Sequence, residues 1–419
     1  MFYLNEEWVS QDTVQAWQAM FAQHPQLQDL QSWRVAVCLT DTRHWLALLL
    51  YIRDQGGTVL PIHPDTPWEA AQRLAQRAGC NALIWQEWQN WQRVEVEQLA
   101  PAGSLLQMSS GTTGEPKCIA RSWQSIAQEV AAYIQHFPEP AQMTPLLACP
   151  VSHSYGLIAG FLVALARGQQ PYVLNTTNPK FVLKQMLSLP QPLLYSSPAM
   201  LHTLARLLPP GQRLHAVMSS GTLLPEPWFQ LLRQRCDYLF QQYGCSEAGC
   251  IAISRDTQQA STLGLPLPHL QVQAGSPQQP QEIRVLRDEG EVATRDLGYF
   301  DEQGRLHFVA RQDDTIIVAG LNVYPQEVEA VLMAMPGVED AVVFKRPDPF
   351  SGERVCALVV GAVQWEQVRA WCQPRLAPYQ IPLEVQAVMA LPRQANGKIN
   401  RRQLAQVYAP GMQSMQEAG

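Results

Sequence analysis

Ser109-Ser-Gly-Thr-Thr-Gly-Glu-Pro-Lys117 follows directly on the mostly apolar stretch Leu105–Met108. Gly111 and Gly114 free the backbone for tight turns, so that successive N–H groups can converge on an anion. The hydroxyls of Ser109, Ser110, Thr112 and Thr113 add donors, and Lys117 adds a positive charge. The two glycines are too close together for a Walker loop, and Pro116 stands before the lysine. By composition alone the stretch is either a phosphate-holding loop or a polar surface hairpin.

Three further segments bear on that choice. Gln241-Gln-Tyr-Gly-Cys-Ser-Glu247 lies on and after a strand that starts at Tyr238, where α/β folds collect ligand sites at strand C-terminal ends. Tyr243 has a ring to stack on a base, Ser246 a hydroxyl for a phosphate, and Glu247 a carboxylate suited to Mg2+. Ala293-Thr-Arg-Asp296 is followed fifteen residues later by Arg311-Gln-Asp-Asp314. There, Asp296 is an acceptor for ribose hydroxyls and Arg311 a donor to ribose or phosphate. Leu391-Pro-Arg-Gln-Ala-Asn-Gly-Lys-Ile-Asn400 carries an Asn396-Gly397 turn signal that presents Lys398 on an exposed loop. Each segment taken singly reads equally well as a solvated loop.

The chain around them is globular in composition. Of 419 residues, 47% are hydrophobic and 16% charged, which excludes a disordered chain. A net charge of −6 lacks the basic field of a nucleic-acid binder. The longest apolar run, Tyr155–Ala166, has 12 residues and is too short to span a bilayer. The first residues lack the pattern of a secretory signal, and nine cysteines show no C-x-x-C pair. Reduced thiols and a cytoplasmic location are expected.

Strands read at Arg34–Leu39, Gly57–Ile62 and Asn81–Trp85 alternate with helices through Trp45–Arg53 and Thr66–Ala78. The rhythm returns at Thr144–Cys149, Gln170–Leu174, Leu193–Ser196, Leu214–Ser219 and Tyr238–Tyr243. Such alternation predicts an α/β fold with parallel sheets and crossover helices. After about Ala260, short strands and turns take over. From Arg311 the pattern resets to a small α+β unit, with strands at Thr315–Val318, Val338–Phe344 and Cys356–Gly361 and helices at Pro325–Met335 and Trp365–Leu376. The expected division is a domain of residues 1–310 and a lid of residues 311–419.

In their order and spacing the four segments resemble the adenylate-forming superfamily: acyl- and aryl-CoA synthetases, peptide-synthetase adenylation domains and luciferases. Ser109–Lys117 is similar to its phosphate-binding loop, and Ser219-Ser220-Gly221-Thr222 to the segment that lines the adenine. Tyr243–Glu247 resembles Tyr-Gly-x-Thr-Glu, with Ser246 keeping the hydroxyl. Thr294-Arg-Asp296 stands where Thr-Gly-Asp is usual, and Arg295 is a departure. Arg311–Gly320 resembles the hinge segment, with Ala310 in place of a glycine. Gly397-Lys398 resembles the C-terminal catalytic loop. The resemblance covers nearly the whole chain, although only about 108 residues precede the phosphate loop, fewer than usual.

The resemblance implies ATP-dependent conversion of a carboxylic acid to an acyl-adenylate, then transfer to a phosphopantetheine thiol of CoA or an acyl carrier protein. It implies that Lys398 serves the adenylation step, that Glu247 holds Mg2+, and that Gly244, Ser246, Asp296 and Arg311 join the nucleotide site. It also implies a lid rotation about Asp313, which brings the strand near Gly320 to the thiol tunnel. Pro150-Val-Ser-His-Ser-Tyr-Gly156 resembles the Pro-x-x-His-x-x-Gly segment of acyl- and aryl-CoA ligases. His153 is thereby placed to gate the carboxylate or the thiol path, against the plainer reading of a packed core histidine.

No Asp stands in that segment to meet an α-ammonium group, so the expected acid lacks one. The expected pocket wall is His153, Tyr155, Ser197, Gly221, Gly244, Ala248 and Gly249, suited to an aromatic or short acyl acid. For the acceptor, Lys345, Arg346 or Arg354 could meet CoA phosphates, and Lys398, Arg401 and Arg402 an acidic carrier protein. A nucleotide-binding pseudoenzyme and an adenylating enzyme with a non-thiol acceptor are the rival readings. No nucleic acid and no membrane span are expected.

Overall fold

The computed structural model describes residues 1–109, 117–176, 178–287, 290–394 and 397–408. Among these residues the strands form three sheets. Arg34–Leu39 is a fully buried run at the heart of a six-stranded sheet, paired in parallel with Thr58–Pro61 on one side and Ala82–Gln86 on the other. A strand covered on both faces reads as a continuous apolar run, and this one does. The helix that follows, Thr42–Asp54, begins where the Asp41 carboxylate accepts from the Arg43 N–H at 2.8 Å.

The same sheet ends in the antiparallel pair Ser104–Ser109 and Lys117–Ser122, with Ser109 and Lys117 as register partners. The candidate phosphate loop is therefore the connection of a hairpin. Its residues Ser110, Gly111, Thr112, Thr113 and Gly114 lie outside the described residues, as does the side chain of Ser109. Beyond it, Ser122 caps the helix Trp123–His136 by accepting from the Ser125 N–H at 3.1 Å.

The thirteen-stranded sheet has two halves. Tyr172–Val173, Thr144–Leu147, Pro192–Ser196, Leu214–Ser219 and Cys236–Cys245 pair in parallel, in that spatial order. The order sets their C-terminal ends side by side. From Cys245 onward the pairing is antiparallel, starting with the hairpin to Gly249–Ser254 and continuing through Leu306–Arg311. The change from the parallel regime thus comes at Cys245, earlier than the composition shift near Ala260. The turn at Gly244–Gly249 carries the reversal. A Cβ on Gly244 would lie 2.1 Å from the Gly249 carbonyl oxygen, so only glycine lets the two strands close.

Two elements escape the alternation pattern. Phe2–Leu4 adds to Tyr172–Val173 in parallel, with Tyr3 and Tyr172 rings stacked 4.1 Å apart. The apolar run from Tyr155 is a π-helix through Leu162 that passes into an α-helical turn, Val163–Ala166. It is buried on nearly every side, which is why its sequence shows no amphipathic period.

The third sheet is built from residues 316–388, with Val338–Asp348 and Gly352–Gly361 as its long central pair. The helices Pro325–Met333 and Trp365–Cys372 pack on one face. Arg401, at the start of the last described helix, donates to Asp314, Glu329 and the Val343 carbonyl, tying that helix to the sheet and to the segment after Arg311. None of the nine cysteines is in a disulfide. Among the described residues no helix is long and apolar enough to cross a membrane.

Candidate active site

Four connections leave the C-terminal ends of adjacent parallel strands and form one wall of a cleft. After Thr144–Leu147 comes Pro150–Gly156 with His153 and Tyr155. After Pro192–Ser196 comes Ser197, after Leu214–Ser219 come Ser220, Gly221 and Thr222, and Cys236–Cys245 itself delivers Tyr243, Gly244, Ser246 and Glu247. Each is fixed by local bonding. A Cβ on Gly156 would sit 2.5 Å from the Pro150 carbonyl oxygen, so the turn before the π-helix closes only on glycine. Ser197 caps Pro198–Leu207. Gly221 sits at φ +96°, open to the left-handed region. The Tyr155 hydroxyl donates to the Met218 carbonyl at 2.6 Å and so ties the His153 segment to the next strand but one.

The opposite wall comes from the antiparallel half. Asp296 and Arg311 are register partners on neighbouring strands, with Arg311 Nε 3.9 Å from Asp296 Oδ1. The Tyr243 hydroxyl donates to Asp296 Oδ2 at 2.8 Å, and the Asp296 N–H donates to Thr294 Oγ1 at 3.2 Å. Burial raises the Asp296 carboxyl above the usual range, against the pull of Arg311, Tyr243 and Lys398. Arg295, where the resemblance expects glycine, holds φ +60°, and its guanidinium meets Asp313 Oδ1 at 3.0 Å. The residue type departs from the pattern while the backbone keeps the left-handed turn that favours glycine.

Lys398 enters from the third sheet's side. Gly397, at φ +80°, packs against Ser197, for a Cβ there would meet the Ser197 Cβ and Oγ at 3.1 and 3.3 Å. The Lys398 side chain is reached by solvent, yet protein atoms crowd it on several sides. Desolvation lowers its pKa below the ordinary lysine value. Arg311 adds to that, while Asp296, Cys245 and Glu247 oppose it. His153 is likewise pushed below its ordinary value by desolvation, and by the neighbouring His63 and Lys398. Its ring is neutral at pH 7.

The structure therefore brings Lys398, Glu247, Asp296, Arg311 and His153 into one cleft, with Ser197 and Gly244 on its wall. Asp313, in the short turn Gln312–Asp314, and Gly320, in the Ala319–Gly320 hairpin turn, lie at the edge of the third sheet. Ala248 and Gly249, at the start of the next strand, are buried. His63, at the end of the strand Thr58–Pro61, faces His153 and was not legible as a site residue, because nothing near it forms a motif.

Three of the basic residues considered for CoA phosphates are instead spent within the fold. Lys345 meets Glu353 at 3.1 Å, and Arg346 and Arg354 share Glu384. Arg401, considered for a carrier protein, is taken by Asp314 and Glu329. Strand register brings Glu353 to Lys345 and Glu384 to Arg354, while the packing of the last described helix brings Arg401 to Asp314 and Glu329.

Among the described residues no group of three or more His, Cys, Asp or Glu side chains is arranged to hold a metal ion by itself. Glu247, a half-buried carboxylate in the cleft, fits the sparse protein share of an Mg2+ site that is completed by phosphate oxygens.

The comparisons agree with this geometry. Residues 100–300 match the model of the AMP-binding enzymes, and residues 327–398 that of the AMP-binding enzyme C-terminal domain. The chain is 38% identical over 406 residues to a 3,4-dihydroxybenzoate–[aryl-carrier protein] ligase of Bacillus anthracis, covering 96% of this chain and 98% of that one. It is 30% identical over 336 residues to a 2-succinylbenzoate–CoA ligase of Bacillus velezensis, covering 72% and 68%. Among solved structures, o-succinylbenzoate CoA synthetase from Bacillus subtilis, in complex with its acyl-adenylate intermediate, superposes with a TM-score of 0.81 over 96% of this chain and 94% of that one, at 22% identity. The chain is a member of the AMP-binding enzyme family.

Proposed function

We propose that this protein is an ATP-dependent aryl acid ligase that forms an aryl-adenylate and passes the aryl group to the phosphopantetheine thiol of a carrier protein. The observation that carries the reading is the convergence of Lys398, Glu247, Asp296 and Arg311 on one cleft, with the Gly397 loop seated on Ser197.

A carboxylate is a poor acyl donor because oxide would have to leave. In the first step a carboxylate oxygen bonds to the α-phosphorus of ATP as the bond to the β-phosphate oxygen breaks and pyrophosphate departs. Catalysis of this kind rests on positioning and on neutralising charge as it develops. Lys398, carried into the cleft by the Gly397 turn, meets the negative charge that develops between the acid and the α-phosphate. Asp296 and Arg311 hold the ribose and its phosphate, with Tyr243 orienting Asp296. Glu247 would hold Mg2+, which neutralises phosphate charge when bound. In the second step the thiol sulfur bonds to the acyl carbon, the acyl–phosphate oxygen bond breaks, AMP leaves, and the thiol proton passes to solvent or a base. The neutral His153 ring lines that path without adding charge.

Two observations favour the carrier protein over CoA. The relative of 38% identity uses an aryl-carrier protein, and Lys345, Arg346 and Arg354 are already paired with Glu353 and Glu384. The test is ATP–pyrophosphate exchange with benzoate, hydroxybenzoates, short aliphatic acids and amino acids, followed by product analysis with CoA and with a phosphopantetheinylated carrier protein. Exchange confined to aryl acids and thioester formed on the carrier are the expected results. Exchange driven only by aliphatic acids, or transfer only to CoA, would overturn the corresponding half of the reading.

The hinge role of Asp313 gives a separate expectation. Asp313 sits in a single turn between the antiparallel sheet and the third sheet, where few residues must absorb a rotation. Proline there restricts φ, so Asp313→Pro should slow thioester formation by about tenfold or more while adenylate formation changes less. Equal loss of both partial reactions, measured by exchange and by single-turnover transfer, would remove the hinge assignment.

A further inference from the structure

The turn that carries Lys398 into the cleft is held by contacts that the mechanism above does not use. Within it, the Gln394 N–H donates to the Lys398 carbonyl and the Gly397 N–H to the Gln394 carbonyl, each at 2.8 Å. Arg393 braces the turn from the side. Its Nη1 donates to the Gly397 carbonyl at 3.2 Å, and its Nη2 donates to Asp340 Oδ2 at 2.6 Å. Asp340 lies on the strand Val338–Asp348, so these bonds tie the turn to the third sheet. They set the shape of the turn but not its place over the thirteen-stranded sheet.

The same guanidinium reaches across. Its central carbon lies 5.6 Å from the ring centre of Trp228. Trp228 is 5% exposed and sits on the helix Glu226–Arg235, the crossover between the wall strands Leu214–Ser219 and Cys236–Cys245. Its ring stacks on His202, with centres 4.3 Å apart and planes 4° from parallel. His202 belongs to Pro198–Leu207, the helix capped by Ser197, against which Gly397 packs. Burial pushes the His202 imidazole down to about 4, with Arg206 and Arg393 adding to the fall and Glu339 opposing it. The stacked ring is therefore uncharged at pH 7 and does not repel the guanidinium. One helical turn after His202, Arg206 meets Glu339 of the third sheet at 3.4 Å, but both side chains are exposed and such a pair contributes little. The Trp228 ring is the buried part of this contact, where a guanidinium is attracted most strongly.

We propose that Arg393 and Trp228 are positioning residues for adenylate formation, a latch in which one guanidinium joins the residue before Lys398 to a ring fixed on the helices behind the cleft wall. The inference rests on the assignment of Lys398 to that step. Lys398 has to meet charge that develops between the acid and the α-phosphate, and a small displacement of its turn forfeits much of that gain. Arginine suits both ends of the latch. Its planar fork bonds a carbonyl and a carboxylate at the edge and leaves a face for an aromatic ring, which a lysine lacks. Both residues act through the Gly397 turn rather than on the reacting atoms.

The experiment follows ATP–pyrophosphate exchange, with the acid that drives it in the wild type, and separately thioester formation from the preformed adenylate. The variants are Trp228→Leu, Trp228→Phe, Arg393→Gln and the double variant of Trp228→Leu with Arg393→Gln. Trp228→Leu should lower kcat for exchange about tenfold and leave the KM for ATP nearly unchanged. Trp228→Phe keeps a ring face and should retain most of the rate. Arg393→Gln should lose at least as much as Trp228→Leu, and the double variant no more than Arg393→Gln alone, because the two act through one contact. Transfer from the preformed adenylate does not call on Lys398 and should stay within about twofold of the wild type. Trp228→Leu keeps the pair of Arg393 and Asp340, so it remains informative should Arg393→Gln fail to fold. Unchanged exchange in a folded Trp228→Leu, losses that multiply in the double variant, or equal loss of both half-reactions would each overturn the latch while leaving the adenylation reading intact. A wild type that shows no exchange with any acid would sink that reading and the latch with it.

Discussion

Lys398→Ala is expected to reduce acyl-adenylate formation by about 10^2- to 10^3-fold, equivalent to about 3–4 kcal/mol of transition-state stabilisation. The ammonium is the cation that the Gly397 turn carries into the cleft, and desolvation there costs it stability that an anionic partner returns. Its charge matters most as negative charge accumulates between the acid and the α-phosphorus. The loss should therefore fall on the rate of exchange rather than on ATP affinity. Thioester formation from a preformed aryl-adenylate should be far less affected, since the resemblance has the lysine withdrawn in that step. A variant that loses ATP binding and exchange together would make Lys398 a binding residue only. A variant that loses both half-reactions equally would contradict its assignment to the first.

The second large effect concerns stability. Glu129→Ala should destabilise the folded protein by about 3–5 kcal/mol, because it strands the Arg121 guanidinium in a site 2% exposed and also removes the acceptor of the Cys250 N–H. Replacing both partners with apolar residues of similar volume, Arg121→Met with Glu129→Leu, should cost much less, since no charge is then left buried. Urea unfolding of the single and double variants measures the difference. A single variant no worse than the double would show that the pair is not what holds the corner between Lys117–Ser122 and Trp123–His136. Arg121 Nη1 lies 2.6 Å from Glu129 Oε2 beneath Gly249, where only a glycine lets the pair approach the backbone.

Arg295 shows how far local pattern reading carries. The sequence marks it as a departure from glycine in Thr-x-Asp. A left-handed turn at a non-glycine residue costs about 1 kcal/mol. What the sequence does not show is that the guanidinium meets Asp313 eighteen residues away at the proposed hinge. Lys345, Arg346 and Arg401 teach the converse. Their charge was visible and suggested ligands, but their availability was not, because Glu353, Glu384, Asp314 and Glu329 reach them only through strand register and helix docking.

The α/β alternation, the strand ends that carry Tyr243–Glu247, and the glycines at the tight turns were determined by the sequence alone. They depend on hydrophobic period and on backbone sterics, which act over a few residues. The tertiary structure alone decided that the parallel run reverses at Cys245 and that the Gly397 loop, which carries Lys398, seats on Ser197. It also decided that Arg121 and Glu129 share one buried site. Those outcomes depend on packing, desolvation and charge pairing between residues as many as 200 positions apart, and burial is a property of the packed chain that no local stretch encodes.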